Sequence, residues 1–136
     1  MPPEVNHPPS TSPRISDAEW TVMKVLWERG SSSLGEVVKE LEGRLHWKPR
    51  TVQSLIRRLT EKGALSVEAI GREFRYTPAV GQTHCQHEES RSFLDRVFNG
   101  RLTPFVAGLM EREEVSHDDL AALREILAQA EKKLQK

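Results

Sequence analysis

Trp47-Lys48-Pro49-Arg50-Thr51-Val52-Gln53-Ser54-Leu55-Ile56-Arg57-Arg58-Leu59-Thr60-Glu61-Lys62-Gly63 is the stretch whose reading decides the fold. Val52, Leu55, Ile56 and Leu59 recur at i, i+3, i+4 and i+7, one apolar face of an α-helix. Arg50, Gln53, Ser54, Arg57 and Arg58 fall on the opposite face. Pro49 suits the first turn, where a missing N–H costs nothing, and Gly63 suits a left-handed position just past the end. The stretch therefore predicts a helix with one side built for a core. Its other side, together with Lys48 and Thr51 at its start, carries groups that can meet base edges and phosphates: Arg pairs bidentately with guanine, Gln with adenine, and Ser and Thr reach either. Taken alone, the same pattern also describes a surface helix with a solvated basic face.

The segments before it favour the first interpretation. Ser16-Asp17-Ala18-Glu19 is a capping box, in which Ser16 caps the helix and Glu19 reaches back. It opens a helix with Trp20, Met23, Leu26 and Trp27 inward and Gly30 at its end. Ser33-Leu34-Gly35-Glu36 is a second capping box, and the helix it opens buries Leu34, Val37, Val38 and Leu41 and stops near Gly43. Three short helices with brief turns make a tri-helical, helix-turn-helix unit.

After Gly63 the period changes from helical to alternating. Leu65-Ser66-Val67-Glu68-Ala69 and Phe74-Arg75-Tyr76-Thr77 flank Ile70-Gly71-Arg72-Glu73, a β-hairpin with a charged tip closed by Pro78. A hairpin directly behind a basic third helix is the wing of a winged helix. Arg72 and Arg75 are then expected near phosphates; the alternative is an edge strand kept soluble by charge.

From Gln82 the chain is helical again. Phe93, Leu94, Val97 and Phe98 form a stripe ended by Asn99-Gly100, and Pro104 opens a segment with Phe105, Val106, Leu109 and Met110. Ser116 caps a last helix bearing Leu120, Leu123, Ile126, Leu127 and Leu134. Helices this short cannot enclose a core of useful size alone, and a second copy of the chain is the simplest partner. A homodimer held by residues 88–134 is expected. The fold class is mainly α with a small β-hairpin: an arm over 1–13, a winged-helix DNA-binding domain over 14–80, and a helical dimerisation domain over 81–136. The arm is rich in Pro, Ser and Thr and cannot bury a core. With Arg14, directly after it, the only basic residue near, it is read as a passive tail rather than a minor-groove arm.

Composition sets further bounds. The net charge is zero, yet residues 44–83 carry eight basic against three acidic side chains. Residues 84–119 carry four basic against eight acidic ones. A local basic face matters more for phosphate attraction than the total. No apolar run approaches the roughly 20 residues of a membrane span, no signal peptide is visible, and a lone Cys85 fits a reducing compartment. A cytoplasmic address without membrane insertion is expected.

Together these residues resemble a family. Ile15-Ser16-Asp17-Ala18-Glu19-Trp20, Val25-Leu26-Trp27, Trp47-Lys48-Pro49-Arg50-Thr51-Val52 and Leu59-Thr60-Glu61-Lys62-Gly63 look like the penicillinase-repressor family, the winged-helix repressors of β-lactamase and methicillin-resistance genes, with copper-responsive relatives. Gly71-Arg72-Glu73-Phe74-Arg75-Tyr76 resembles its wing and Ser92-Phe93-Leu94-Asp95-Arg96 the start of its dimerisation region. The resemblance covers residues 14–130. It implies a homodimeric repressor on a palindromic double-stranded operator, with Arg50, Thr51 and Ser54 at the groove and Arg57 and wing residues on phosphate. It also implies a regulatory protease or sensor as a partner. The Asn–Phe bond cleaved in the resistance repressors falls on Gly108-Leu109 here, and the paired C-x-C motifs of the copper-responsive relatives have no counterpart in a chain with one cysteine. Neither inducing signal carries over by residue identity.

Other functions find little in the sequence. His84-Cys85-Gln86-His87 is the one cluster of metal-ligand types, but His84 and His87 share a helix face that Cys85 does not, so neither a metal site nor a cofactor is expected. Trp20 and Trp27 are read as core and Trp47 as packing, while His46 and His117 are surface or cap residues. Glu88-Glu89 and Glu111, Glu113 and Glu114 are solvated faces. There is no phosphate-cradling Gly-rich loop, no G-x-S-x-G and no H-E-x-x-H, so an enzyme is not expected. Two alternatives to an operator-binding repressor remain. One is a winged helix used for protein contact, which has little use for Arg50, Arg57 and Arg58. The other is a ligand-sensing repressor of the multidrug type, which has a helix pair before the winged helix where this chain has its arm.

Overall fold

A computed structural model describes residues 13–112 and 114–135. The arm expected over 1–13 lies, apart from Pro13, outside the described residues. The element order is α1 (Asp17–Arg29), β1 (Ser32–Ser33), α2 (Leu34–Leu45), α3 (Pro49–Glu61), β2 (Leu65–Ile70), β3 (Glu73–Pro78), α4 (Gln82–Phe98), α5 (Leu102–Arg112) and α6 (His117–Leu134).

Both capping boxes form. Ser16 Oγ accepts from the Glu19 N–H at 3.2 Å while Glu19 Oε1 accepts from the Ser16 N–H at 2.8 Å, and Ser33 and Glu36 repeat the exchange at 3.2 and 2.9 Å. These pairs satisfy N–H groups that a helix start leaves without partners. The second helix does not stop near Gly43. It runs on to Leu45 and ends at His46, whose φ of 60° is the left-handed cap conformation. α3 begins at Pro49 and is followed by Gly63 at φ 87°.

The inward faces of α1, α2 and α3 make one core. Val22, Met23 and Leu26 of α1, Val37 and Leu41 of α2, and Val52, Ile56 and Leu59 of α3 are buried, with Leu65 of β2 closing one side. Trp20, Trp27 and Trp47 are half-buried and pack against this core rather than within it. The rings of Trp20 and Trp27 lie 5.5 Å apart, and Trp27 Nε1–H donates to the Val80 carbonyl at 3.0 Å, tying α1 to the end of the wing. Burying an indole usually requires such a partner.

The hairpin gains a third strand that the sequence did not suggest. β3 lies between β2 and the two-residue β1, all antiparallel, with Ser32 opposite Tyr76 and Ser33 opposite Arg75. β2 and β3 pair from Leu65–Pro78 to Ile70–Glu73, leaving a two-residue turn at Gly71-Arg72. A positive φ of 65° at Gly71 suits such a tight turn, where L side chains are strained.

The chain divides into two compact units, residues 1–89 and 90–136. In the first, Cys85 of α4 is buried in the winged-helix core at 3% exposure. In the second unit, Phe93, Phe98 and Phe105 form a ring triad with centroids 5.4–5.9 Å apart. α4 ends where Asn99 and Gly100 take φ of 54° and 80°. Ser116 Oγ accepts from the Asp119 N–H at 3.0 Å to start α6. No described residue of α5 or α6 is buried.

Candidate nucleic-acid interface

The outer face of α3 is set by its inner one. With Val52, Leu55, Ile56 and Leu59 held in the core, the helical period turns Arg50, Gln53, Arg57 and Arg58 to solvent and leaves Ser54 half-exposed between them. Lys48 is the N-cap residue; its ammonium, a donor only, cannot cap the N–H groups that open the helix, and its side chain is exposed. Along one flank, Lys48, Arg50, Thr51, Ser54, Leu55 and Arg58 line an open concavity of about 630 Å³. Gln53 and Arg57 lie along the other flank.

The basic excess counted over residues 44–83 is not all available. Arg44 pairs with Glu28 at 3.0 Å and with Glu40 at 2.6 Å; the hydrogen bond it donates to Glu28 and the charge of Glu40 raise its pKa. Lys62 pairs with Glu19 at 2.7 Å and also donates to the Arg14 carbonyl at 2.8 Å. Arg75 donates to the Ser31 carbonyl at 2.7 Å, to Glu73 at 2.9 Å and to Glu36 at 3.4 Å. Among the described residues, Lys48, Arg50, Arg57, Arg58 and Arg72 of this region are in no ion pair. Four of these five lie on or at the start of α3, and Arg72 stands in the wing turn. Neutralisation inside the fold thus leaves the uncommitted positive charge of this region on α3, its cap and the wing turn.

Of the nine residues singled out in the sequence, seven share α3 or its cap and Arg72 is exposed on the wing. Arg75 differs. Its side chain is turned back against β1 and α2, because it sits opposite Ser33 in the register. Sequence alternation places a residue on one sheet face or the other, but it does not say what covers that face. Glu36 is the residue sequence reasoning missed here: it was read only as half of a capping box. Its pKa is lowered chiefly by the Ser33 N–H bond, against burial that raises it, with Arg75 and Arg29 also lowering it.

The other candidate cluster does not assemble. His84 faces Glu88 at 3.9 Å, Cys85 points into the core, and among the described residues no three His, Cys, Asp or Glu side chains come together as a metal site. Among them, too, no helix is long and apolar enough to cross a membrane.

Comparison with known proteins gives the same frame. The profile described as penicillinase repressor matches residues 15–129. The chain belongs to the penicillinase-repressor family. Among its penicillinase-repressor relatives, the penicillinase repressor of Bacillus licheniformis is 41% identical over 115 residues, 85% of this chain and 90% of that one. The methicillin resistance regulatory protein MecI of Mammaliicoccus sciuri is 31% identical over 113 residues, 83% of this chain and 92% of that one. A solution structure of the monomeric BlaI of Bacillus licheniformis in complex with the blaP half-operator is 46% identical over 53% of this chain and 88% of its own, with a TM-score of 0.48.

Proposed function

We propose that this member of the penicillinase-repressor family is a homodimeric transcriptional repressor. It binds a palindromic duplex operator through α3 and the wing. The observation that carries the reading is that the five cations of residues 44–83 in no ion pair among the described residues all stand on α3, its cap or the wing turn. Phosphate contacts from Arg57, Arg58 and Arg72 set register, and Arg50, Thr51, Gln53 and Ser54 reach base edges. The dimer forms through the apolar faces of the second unit, and a two-fold pair of recognition helices spans two half-sites about one helical turn apart. Such a protein acts by occupying DNA and needs no catalytic group.

Fluorescence anisotropy of the purified protein on its own upstream DNA, titrated with salt and with scrambled competitor, tests this directly. Tight, salt-sensitive binding that resists the competitor is expected. Equal, weak binding to both DNAs would replace the reading with a protein-contact module. Arg57→Gln or Arg72→Gln should weaken binding to every duplex and lower the salt slope by about 0.9 each. Arg50→Ala or Ser54→Ala should change sequence preference instead, each lost base contact costing roughly 1–3 kcal/mol of discrimination. Parallel losses on operator and scrambled DNA for Arg50 and Ser54 would remove them from the groove.

A further inference from the structure

Arg75 is the outermost point at which the wing is tied to the helical body. Residues 66–74 are all exposed, so burial does not hold the projecting part of the hairpin. At its base the Ala79 N–H donates to the Ala64 carbonyl at 2.8 Å, and β1 adds only two residues of pairing. Beyond that, the Arg75 guanidinium reaches the Ser31 carbonyl, Ser31 Oγ at 3.3 Å, and the carboxylates of Glu36 and Glu73. Glu36 in turn stands 4.0 Å from Arg29, which lies 3.6 Å from Glu40, and Glu40 holds Arg44. A continuous series of alternating charges therefore runs from β3 across the start of α2 to the end of α1.

We infer that Arg75 and Glu36 are positioning residues: their ion pair fixes the pitch of the wing against the helix-turn-helix, so that Arg72 meets the phosphate backbone while α3 lies in the groove. The inference rests on the proposed DNA-binding function and assigns within it to two residues a role that does not depend on their touching DNA. The planar fork of Arg75 can engage a carbonyl and two carboxylates at once, which a lysine cannot copy. Glu36 contributes its charge to the wing and its oxygen to the α2 cap, and the two roles are separable. Glutamine also completes a capping box, so Glu36→Gln keeps the cap while removing the charge.

That variant gives a test with opposing signs. Removing a negative charge from a DNA-binding surface should by itself tighten binding. If Glu36 positions the wing, Glu36→Gln should instead weaken operator binding by about threefold, the size of an exposed ion pair. Arg75→Gln should do the same. Arg72→Gln should then cost less than half as much in either background as in the unmodified protein, because a misplaced wing has already lost that phosphate. In the free protein, hydrogen exchange at the Tyr76 and Arg75 amides should quicken by about threefold in both variants, with the thermal midpoint of the first unit little changed. Unchanged or tighter DNA binding by Glu36→Gln, with full additivity to Arg72→Gln, would overturn the inference, as would unchanged wing exchange. If the unmodified protein bound no duplex selectively, the proposed function would fall on its own, and the exchange rates would still decide whether the pair holds the wing.

Discussion

Replacing Ile126 and Leu127 together by aspartate should convert the protein to a monomer in sedimentation velocity and weaken operator binding by roughly a hundredfold or more. The magnitude follows from losing the second half-site, which in a linked pair binds at high effective concentration. The two side chains are 61% and 63% exposed in the single chain, so aspartate there removes little packing within it. In a dimer the same positions would be buried, and desolvating four added carboxylates would cost far more than the lost apolar contact. The thermal unfolding of the winged-helix unit should be unaffected, since its core lies in residues 15–85. A dimer of unchanged stability would move the interface off α6. A monomer that still bound the operator as tightly as before would remove dimerisation from the mechanism.

The reason for expecting a partner is physical. Val97, Leu102, Val106, Leu109, Leu123 and Leu134 are also exposed, and large apolar side chains left uncovered together mark an interaction surface. The Gly108–Leu109 bond lies inside α5, where backbone hydrogen bonding protects a peptide bond from a protease that needs an extended substrate. Cleavage at this place would require α5 to unwind locally. Gly108 lowers that cost slightly, by about 1 kcal/mol relative to alanine.

How much of this was legible in the sequence depends on the range of each signal. Caps and periods are local: Ser16 with Glu19, Ser33 with Glu36, the α3 stripe, and the Asn99-Gly100 stop could each be read within a few residues, and each formed. β1 could not, because Ser32 and Ser33 pair through their backbones and carry no alternating apolar pattern. The end of α2 was misplaced because glycine is the commoner terminator, and a histidine at φ 60° does the work here. The helical period sets Cys85 off the face shared by its two neighbouring histidines, and only the fold shows that it faces the core. The charge count located the basic region but could not tell which cations it would spend internally. Arg44, Lys62 and Arg75 find carboxylates up to 43 residues away, a separation at which spacing carries no information.

Lys62 shows what such a distant pair does for the recognition helix. Lys62→Met should destabilise the winged-helix unit by about 2 kcal/mol at neutral pH, with the loss shrinking as the pH falls. Glu19 is 1% exposed; burial pushes its carboxyl pKa up, but the Lys62 hydrogen bond, the Ser16 N–H and the Lys62 charge together hold it below its ordinary value of 4.5. Breaking a fully buried pair typically costs about 3–5 kcal/mol, and the smaller figure allows for a Lys62 side chain that is 32% exposed. A carboxyl whose pKa is lowered by folding contributes stability that is present above its unfolded pKa and is lost as the pH falls through its folded one. Without Lys62 the folded pKa must rise, so the variant loses most where Glu19 is ionised and least where both proteins carry it protonated. Urea unfolding of both proteins from pH 7 down to pH 3 would show the two stabilities converging. A constant gap across that range would mean that Lys62 acts through the packing of its methylene stem or its bond to the Arg14 carbonyl, and that the charge of Glu19 is satisfied by Ser16 alone.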